Sequence, residues 1–134
     1  MYKMIPAEIG GEPRMLNYSV AVMFAVEDRF GSLRAALAAL DKGGKEGFEV
    51  LRFLAVAMAN DGELARRELG EDPRPMLTES SVSARMSPSD YAALFNAVLA
   101  AINAGYNRDV PDDEDGEVDL VLQELDEKKT KAGA

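Results

Sequence analysis

The sequence predicts a mainly α-helical protein: a compact bundle of four to five helices, with a possible short β-hairpin before it and an acidic tail helix after it. Three observations predict this class. Apolar residues recur at helical spacing along most of the chain. Serine, proline and glycine stand where these stretches begin and end. The 134 residues suit one domain, and its core must form without disulfides because cysteine is absent. We therefore expect a helical body over residues 1–108 and a separate tail over residues 109–134.

The first 16 residues have the pattern of extended structure. Gly10 and Gly11 stand between two short apolar runs, which is typical of a hairpin turn. Pro6 and Pro13 weaken this interpretation, because proline cannot donate a hydrogen bond to a β-ladder. A small hairpin and an irregular extended segment both remain open.

Two helices are predicted next. Asn17 or Ser19 can cap the first helix, and Gly31 ends it. Ser32 caps the second helix, which ends at Gly43-Gly44. The apolar face of the first helix is predicted to consist of Leu16, Val20, Met23 and Phe24.

The third helix is predicted over residues 45–60, and its wide apolar stripe indicates a central position. Asp61 is predicted to cap a further short helix that ends at Gly70. A loop follows, because two prolines occur within three residues at Pro73 and Pro75.

The last helices of the body have clear start signals. Thr78 or Ser80 can begin a single turn. Ser87, with Pro88 in the first helical position, begins a longer helix that Gly105 is predicted to end. Its apolar face is predicted to consist of Tyr91, Phe95, Val98 and Ile102.

The net charge of −9 is concentrated in the tail. Residues 1–108 carry 14 acidic and 12 basic side chains, a balance of −2, whereas residues 109–134 carry 10 and 3, a balance of −7. Nucleic-acid binding needs a cationic surface, which this charge distribution does not provide. No apolar run approaches the ~20 residues of a membrane span. We expect no nucleic-acid or membrane partner and a cytoplasmic location, which the absence of cysteine also favours.

The residue types of most catalytic sites are missing. There is no histidine and no cysteine, so histidine-based catalysis, thiol nucleophiles and most zinc sites are excluded. Glycine-rich phosphate loops are also absent. Aligning Gly116 with the glycine of a calcium loop places Pro111 and Leu122 at essential ligand positions, where neither can bind the ion. We predict that the protein is not an enzyme and has no cofactor and no metal site.

The tail is the strongest candidate for binding a partner. Val118, Val121, Leu122 and Leu125 lie at helical spacing, and they follow the acidic run of Asp112, Asp113, Glu114 and Asp115. These eight residues are the predicted partner-binding site. In one alternative the tail helix folds back on its own body. In the other it docks into a groove of a protein partner.

Two other groups of residues have more than one interpretation. Arg66, Arg67 and Arg74 stand among acidic residues and are predicted to form a salt-bridged surface instead of an anion site. Met23 and Met58 are predicted to belong to the core. Four other methionines either fill gaps in the core or cover an adaptable binding surface: Met4, Met15, Met76 and Met86.

Residues 16–37, LNYSVAVMFAVEDRFGSLRAAL, resemble the opening of phage and prophage tail assembly chaperones. Tyr18, Glu27-Asp28 and Gly31-Ser32-Leu33 stand at the positions that carry the likeness. The order of later segments is also similar. The resemblance implies a protein of the bacterial host cytoplasm that binds the tape measure protein, keeps it soluble and helps tail tube subunits assemble around it. The alternative is a small acidic helical adaptor or regulator that binds a basic or helical protein.

Overall fold

The computed structural model describes residues 3–107 and confirms the predicted mainly α-helical class with an N-terminal hairpin. The boundary at residue 108 and the tail helix lie outside the described residues. Two antiparallel strands and five helices follow one another in the described range: β1 (Ile5–Ile9), β2 (Glu12–Leu16), α1 (Val20–Phe30), α2 (Leu33–Lys42), α3 (Gly44–Glu68), α4 (Glu79–Arg85) and α5 (Pro88–Tyr106).

The hairpin accommodates both of its prolines. Gly10 and Gly11 form the turn with φ angles of 63° and 81°, which glycine adopts without strain. Pro6 pairs with Met15, and Pro13 pairs with Glu8 two positions along the ladder. Along an antiparallel ladder, pairs that exchange hydrogen bonds alternate with pairs that do not, so the two proline pairs, two positions apart, are of the same kind. Since proline has no N–H, this is the kind in which paired residues exchange no hydrogen bonds.

The predicted apolar face of α1 is wrong for Val20 and Phe24, whereas Leu16 is buried at the end of β2 and Met23 is half-buried against the core. Val22 and Val26 are buried, whereas Val20 and Phe24 are 63% and 54% exposed. Every residue from Val20 to Val26 is apolar, so spacing within this stretch could not identify the inner face. Packing against α2 and α3 selects Val22 and Val26, and Phe30 continues this face with its ring 5.3 Å from that of Phe53.

Ser19 caps α1, and Asn17 has a different role. The Ser19 hydroxyl accepts a hydrogen bond from the Val22 N–H at 3.3 Å. Asn17 is buried and donates through Nδ2 to the Asp61 carboxylate at 2.6 Å. The prediction that Asp61 caps a new helix is therefore wrong. Asp61 joins the start of α1 to α3.

Helix α3 runs unbroken for 25 residues through Asp61 and Gly62, where the sequence predicts two separate helices. Its central position is confirmed, because it contacts every other helix and β2, and Leu51, Leu54 and Met58 are fully buried. Gly62 does not end the helix. A Cβ atom at this position would lie 1.8 Å from the Met15 carbonyl oxygen, so glycine permits β2 to pack directly on α3.

The predicted starts of α4 and α5 are confirmed. Thr78 caps α4 and Ser87 caps α5, each within a reciprocal capping box. The Asp90 N–H donates to the Ser87 hydroxyl at 3.2 Å, and the Ser87 N–H donates to the Asp90 carboxylate at 3.0 Å. These bonds satisfy N–H groups that have no partner inside the helix.

The inner face of α5 differs in part from the predicted one. Val98 and Ile102 are buried as predicted, together with Leu94 and Ala101, whereas Tyr91 and Phe95 are half-buried. The helix continues past Gly105 to Tyr106. A Cβ atom on Gly105 would lie 2.5 Å from the Tyr18 carbonyl oxygen, so this glycine serves close packing.

Replacing Ser87 with alanine is expected to destabilise the protein by about 1 kcal/mol, because the N-cap acceptor is lost. Chemical unfolding followed by circular dichroism measures this change. Ser89→Ala is the control, since within residues 3–107 the Ser89 hydroxyl is hydrogen-bonded to the Ser87 hydroxyl at 3.0 Å and caps no backbone N–H. Equal losses in the two variants would show that the cap contributes nothing particular to α5.

The core is formed where α3 meets the remaining elements. The hairpin rests on α3 through β2 and on α5 through β1. Between residues 3 and 107, no helix combines the length and the apolar character needed to cross a membrane.

Candidate interaction surface

An open groove of about 620 Å³ lies between the hairpin and the C-terminal end of α3. We call it the hairpin groove. Its apolar lining comes mainly from Met4, Pro6, Ala7, Pro13, Met15 and Leu69. Charged side chains also border it: Glu8, Arg14, Arg66, Glu71 and Arg74.

The hairpin register explains why methionine and proline line this groove. Pro6 pairs with Met15, and Glu8 pairs with Pro13, so these four residues share one face of the ladder. The opposite face carries Leu16 and Ile9, which are buried in the core. At the other side of the groove, Leu69 follows the last residue of α3 and is 65% exposed.

A buried carboxylate holds the far wall of the groove in place. Glu63 is 2% exposed and accepts hydrogen bonds from Arg66 Nη1 at 2.6 Å and Arg67 Nε at 3.0 Å. The backbone N–H of Arg74 donates to the Glu63 Oε2 atom at 2.6 Å. The predicted salt bridges of Arg66 and Arg67 are confirmed, but the pair of Arg66 with Glu63 is buried and does not lie at the surface. Helical spacing brings the two arginines to Glu63, but only the returning loop covers the ion pairs.

The charge of Glu63 is strongly favoured. Burial raises the pKa of a carboxyl group, because the charged form loses its water. Here the Arg74 N–H and the guanidinium groups of Arg66 and Arg67 outweigh that effect and lower the pKa of Glu63 from 4.5 to about 2. Glu63 therefore remains an anion across the neutral and mildly acidic range, and its three donors keep their acceptor.

Arginines also tie the loop over residues 70–77 to the hairpin. Arg14 Nη1 donates to the Pro75 carbonyl at 2.7 Å, and Arg74 Nη1 donates to the Pro13 carbonyl at 3.0 Å. Arg14 is buried on the same strand face as Leu16. The sequence analysis missed this role of Arg14. The alternation of side chains along β2 could have indicated it, because a cation on the inward face of a strand needs a hydrogen-bond acceptor.

The four methionines of undecided role do not share one surface. Met4 and Met15 meet in the hairpin groove. Met76 borders a smaller opening of about 260 Å³ beside Arg85. Met86 lies in a third opening, of about 630 Å³, which the stacked rings of Phe48 and Tyr91 also line. Met58 is fully buried as predicted, and Met23 packs against the core while remaining half-buried.

A second apolar surface lies where α1 begins and α5 ends. We call it the α1–α5 patch. Val20, Met23 and Tyr106 line its hollow of about 120 Å³, and the exposed Phe24 lies one helical turn beyond Val20 on α1. The Tyr106 ring stacks on Tyr18 with centroids 5.7 Å apart. Burial, followed by the neighbouring Tyr106 phenol, raises the pKa of Tyr18 well above its ordinary range, so the Tyr18 ring stays neutral at physiological pH.

The eight residues predicted to bind a partner, from Asp112 to Leu125, lie outside the described residues. Glu27 and Asp28 are exposed at the end of α1. Among residues 3–107, no three acidic side chains converge in the manner of a metal site.

No protein-family model, curated protein or solved structure matches this chain. Its fold and its surface describe it as a mainly helical protein with an N-terminal hairpin and an open apolar groove. The resemblance of residues 16–37 to tail assembly chaperones stays a prediction.

Proposed function

We propose that this protein is a non-enzymatic assembly chaperone of the phage tail type, which binds the tape measure protein in the bacterial cytoplasm and assists assembly of the tail tube around it. The observation that carries the proposal is the hairpin groove, an apolar opening bordered by Met4, Met15 and the exposed Leu69. It is supported by the resemblance of residues 16–37 to such chaperones. The binding roles of the tail residues, Val118 among them, stay predictions.

The groove has the chemistry expected for an apolar helical segment. A tape measure protein is a long helical chain that exposes apolar faces before it is enclosed, and amphipathic helices bind by laying that face in a groove. Methionine side chains are flexible and polarizable, so Met4 and Met15 can adapt to many successive helical faces. This suits a client that offers repeated and unequal binding segments.

Charged groups at the groove limit which segments bind well. Arg14, Arg66 and Arg74 are held by carbonyl and carboxylate acceptors, so the wall that they build is fixed before a partner arrives. A preformed wall avoids part of the ordering cost of association. Glu8 and Glu71 border the same opening and balance much of the arginine charge. The groove therefore favours apolar contact over capture of a strongly acidic or basic peptide.

Replacing Leu69 with aspartate is expected to abolish capture of the tape measure protein, because a carboxylate at the groove edge would have to be desolvated on binding. The two proteins are co-expressed, with the tape measure protein taken from the same genome, and the soluble complex is measured by affinity capture. Leu64→Asp is the matched control: Leu64 is 51% exposed on α3 and does not line the groove.

Each result of that experiment decides a separate point. Capture by the unaltered chain and by Leu64→Asp, but not by Leu69→Asp, supports both the function and the groove. Equal capture by all three would assign binding to another surface. No soluble complex with the unaltered chain would overturn the chaperone proposal and favour the adaptor alternative, which the charge of −7 over residues 109–134 suits if the partner is basic.

A further inference from the structure

We infer that Pro6 and Glu8 keep the outer edge of β1 from pairing with the same strand of a second copy of this chain. A strand at the edge of a sheet presents a row of unpaired N–H and C=O groups, which a strand of another molecule can extend. The hairpin register and the different surroundings of its two edges support this protection. It is independent of the partner that the hairpin groove binds.

The register directs both prolines to the outer edges of the hairpin. Pro6 pairs with Met15 and Pro13 pairs with Glu8, and these pairs exchange no hydrogen bonds. At such positions the backbone N–H and C=O groups point away from the partner strand. Proline therefore removes an outward N–H from β1 at Pro6 and from β2 at Pro13, without removing a bond between the two strands.

The two edges differ in what covers them. At the edge of β2, the Met15 carbonyl oxygen packs against α3, and the Pro13 carbonyl accepts a hydrogen bond from Arg74 Nη1 at 3.0 Å. At the edge of β1, the Pro6 carbonyl and the backbone N–H and C=O of Glu8 form no hydrogen bond within residues 3–107. Pro6 and Glu8 are both exposed. The edge of β1 therefore depends on its own residues for protection.

Each way of joining two copies through this edge meets an obstacle. An antiparallel pairing of β1 with β1 can be centred on Pro6, on Ala7 or on Glu8. Centred on Pro6, the central pair lacks both of its N–H donors. Centred on Ala7, each Pro6 faces a Glu8 of the other copy, and each of these pairs loses one of its two hydrogen bonds. Centred on Glu8, two carboxylates stand directly opposite each other, which is destabilising.

Restoring the N–H group at position 6 tests this protection. Pro6→Thr is expected to sediment at twice the mass of the unaltered chain, because the register centred on Ala7 then keeps all of its hydrogen bonds. The Glu8 amide is expected to exchange its hydrogen severalfold more slowly in that assembly than in the unaltered protein, since it gains an acceptor. Sedimentation velocity and hydrogen exchange measure the two effects on the full chain.

Pro13→Thr is the matched control. It makes the same change on the same face of the hairpin, but at the edge that α3 and Arg74 cover. A doubled mass and a slowed Glu8 amide in Pro6→Thr, with neither change in Pro13→Thr, support the inference. Equal association of both variants would overturn it, because the altered hairpin face would then explain the contact.

Three other results would also contradict the protection of this edge. The first is an unchanged mass for a folded Pro6→Thr variant. The second is a doubled mass without slower exchange at Glu8, which would place the contact on another surface. The third is a Glu8 amide in the unaltered chain as protected as that of Ala7, which would show that the edge is already covered. Pro6→Ala restores the same N–H with a smaller side chain, and it is judged by the same results if Pro6→Thr does not fold.

Discussion

Replacing Gly62 with alanine is expected to destabilise the protein by about 3 kcal/mol, the upper part of the range for an over-packed site. The added Cβ would lie 1.8 Å from the Met15 carbonyl oxygen and 2.8 Å from its carbon. Both are backbone atoms, so no side-chain rotation relieves the clash. The hairpin would have to move away from α3, and Asn17, which bonds to Asp61 one residue before Gly62, would move with it.

The direction of this change distinguishes it from an ordinary helix substitution. Alanine is favoured over glycine within a helix by about 1 kcal/mol, so an unconstrained Gly62→Ala would raise stability. Urea unfolding followed by circular dichroism measures the sign. Gly47→Ala in the same helix is the comparison, because its nearest contact, the Ala39 carbonyl oxygen at 3.1 Å, is far less severe and predicts a smaller change. A stabilised Gly62→Ala variant would contradict the direct packing of β2 on α3.

Replacing Glu63 with glutamine is expected to destabilise the protein by about 3–5 kcal/mol, the cost of removing one partner from a buried ion pair. The amide keeps one acceptor but presents an N–H₂ group to donors that need acceptors. Arg66 would lose its close counterion and keep only the exposed Glu71 carboxylate, 4.0 Å away, and the Arg74 N–H would lose its short bond. Glu71→Gln is the matched control, because Glu71 is exposed and its carboxylate lies as far as 4.0 Å from the Arg66 guanidinium. Loss of this weak ion pair should cost at most about 1 kcal/mol.

The same carboxylate predicts a dependence of stability on pH. The pKa of Glu63 is about 2 in the folded protein and 4.5 ordinarily, so the unfolded chain binds a proton more readily. Its contribution is complete above pH 4.5 and is lost as the pH falls toward 2. The free energy of unfolding should therefore fall more steeply in the unaltered protein than in Glu63→Gln over this range. Asp90, whose pKa is also lowered by bonds with Ser87, titrates in both chains and cancels in the comparison. Parallel pH profiles would contradict the role given to Glu63.

Local signals account for the parts of the fold that the sequence predicted. Gly10-Gly11, Ser32 and Ser87-Pro88 each have a fixed relation to the backbone next to them, so the hairpin turn and two helix starts are confirmed. The prediction that Asp61 caps a helix was wrong, because its carboxylate accepts a hydrogen bond from another part of the chain. Asn17, distant in sequence, donates to the Asp61 carboxylate that would otherwise cap a helix.

The candidate site was less accessible to prediction than the fold. Met4, Met15 and Leu69 are separated along the chain by loops and helices, and no spacing rule brings them together. Arg14 carries a recognisable signal, a cation in the inward phase of a strand, but its acceptor on Pro75 is set by the loop. The predicted tail site, from Asp112 to Leu125, lies outside the described residues and stays a prediction.

By itself the sequence determined the helical class and the caps at Ser32 and Ser87, because each depends on interactions within a few residues, and it left the hairpin as one of two alternatives. Only the tertiary structure decided which face of α1 is buried, why Gly62 and Gly105 are glycines, and that Glu63 is an enclosed anion. The physical reason is that these properties depend on atoms that approach from distant parts of the chain. An apolar stretch such as Val20–Val26 has no preferred inner face until neighbouring helices cover one side, and a carboxylate is not buried until a loop closes over it.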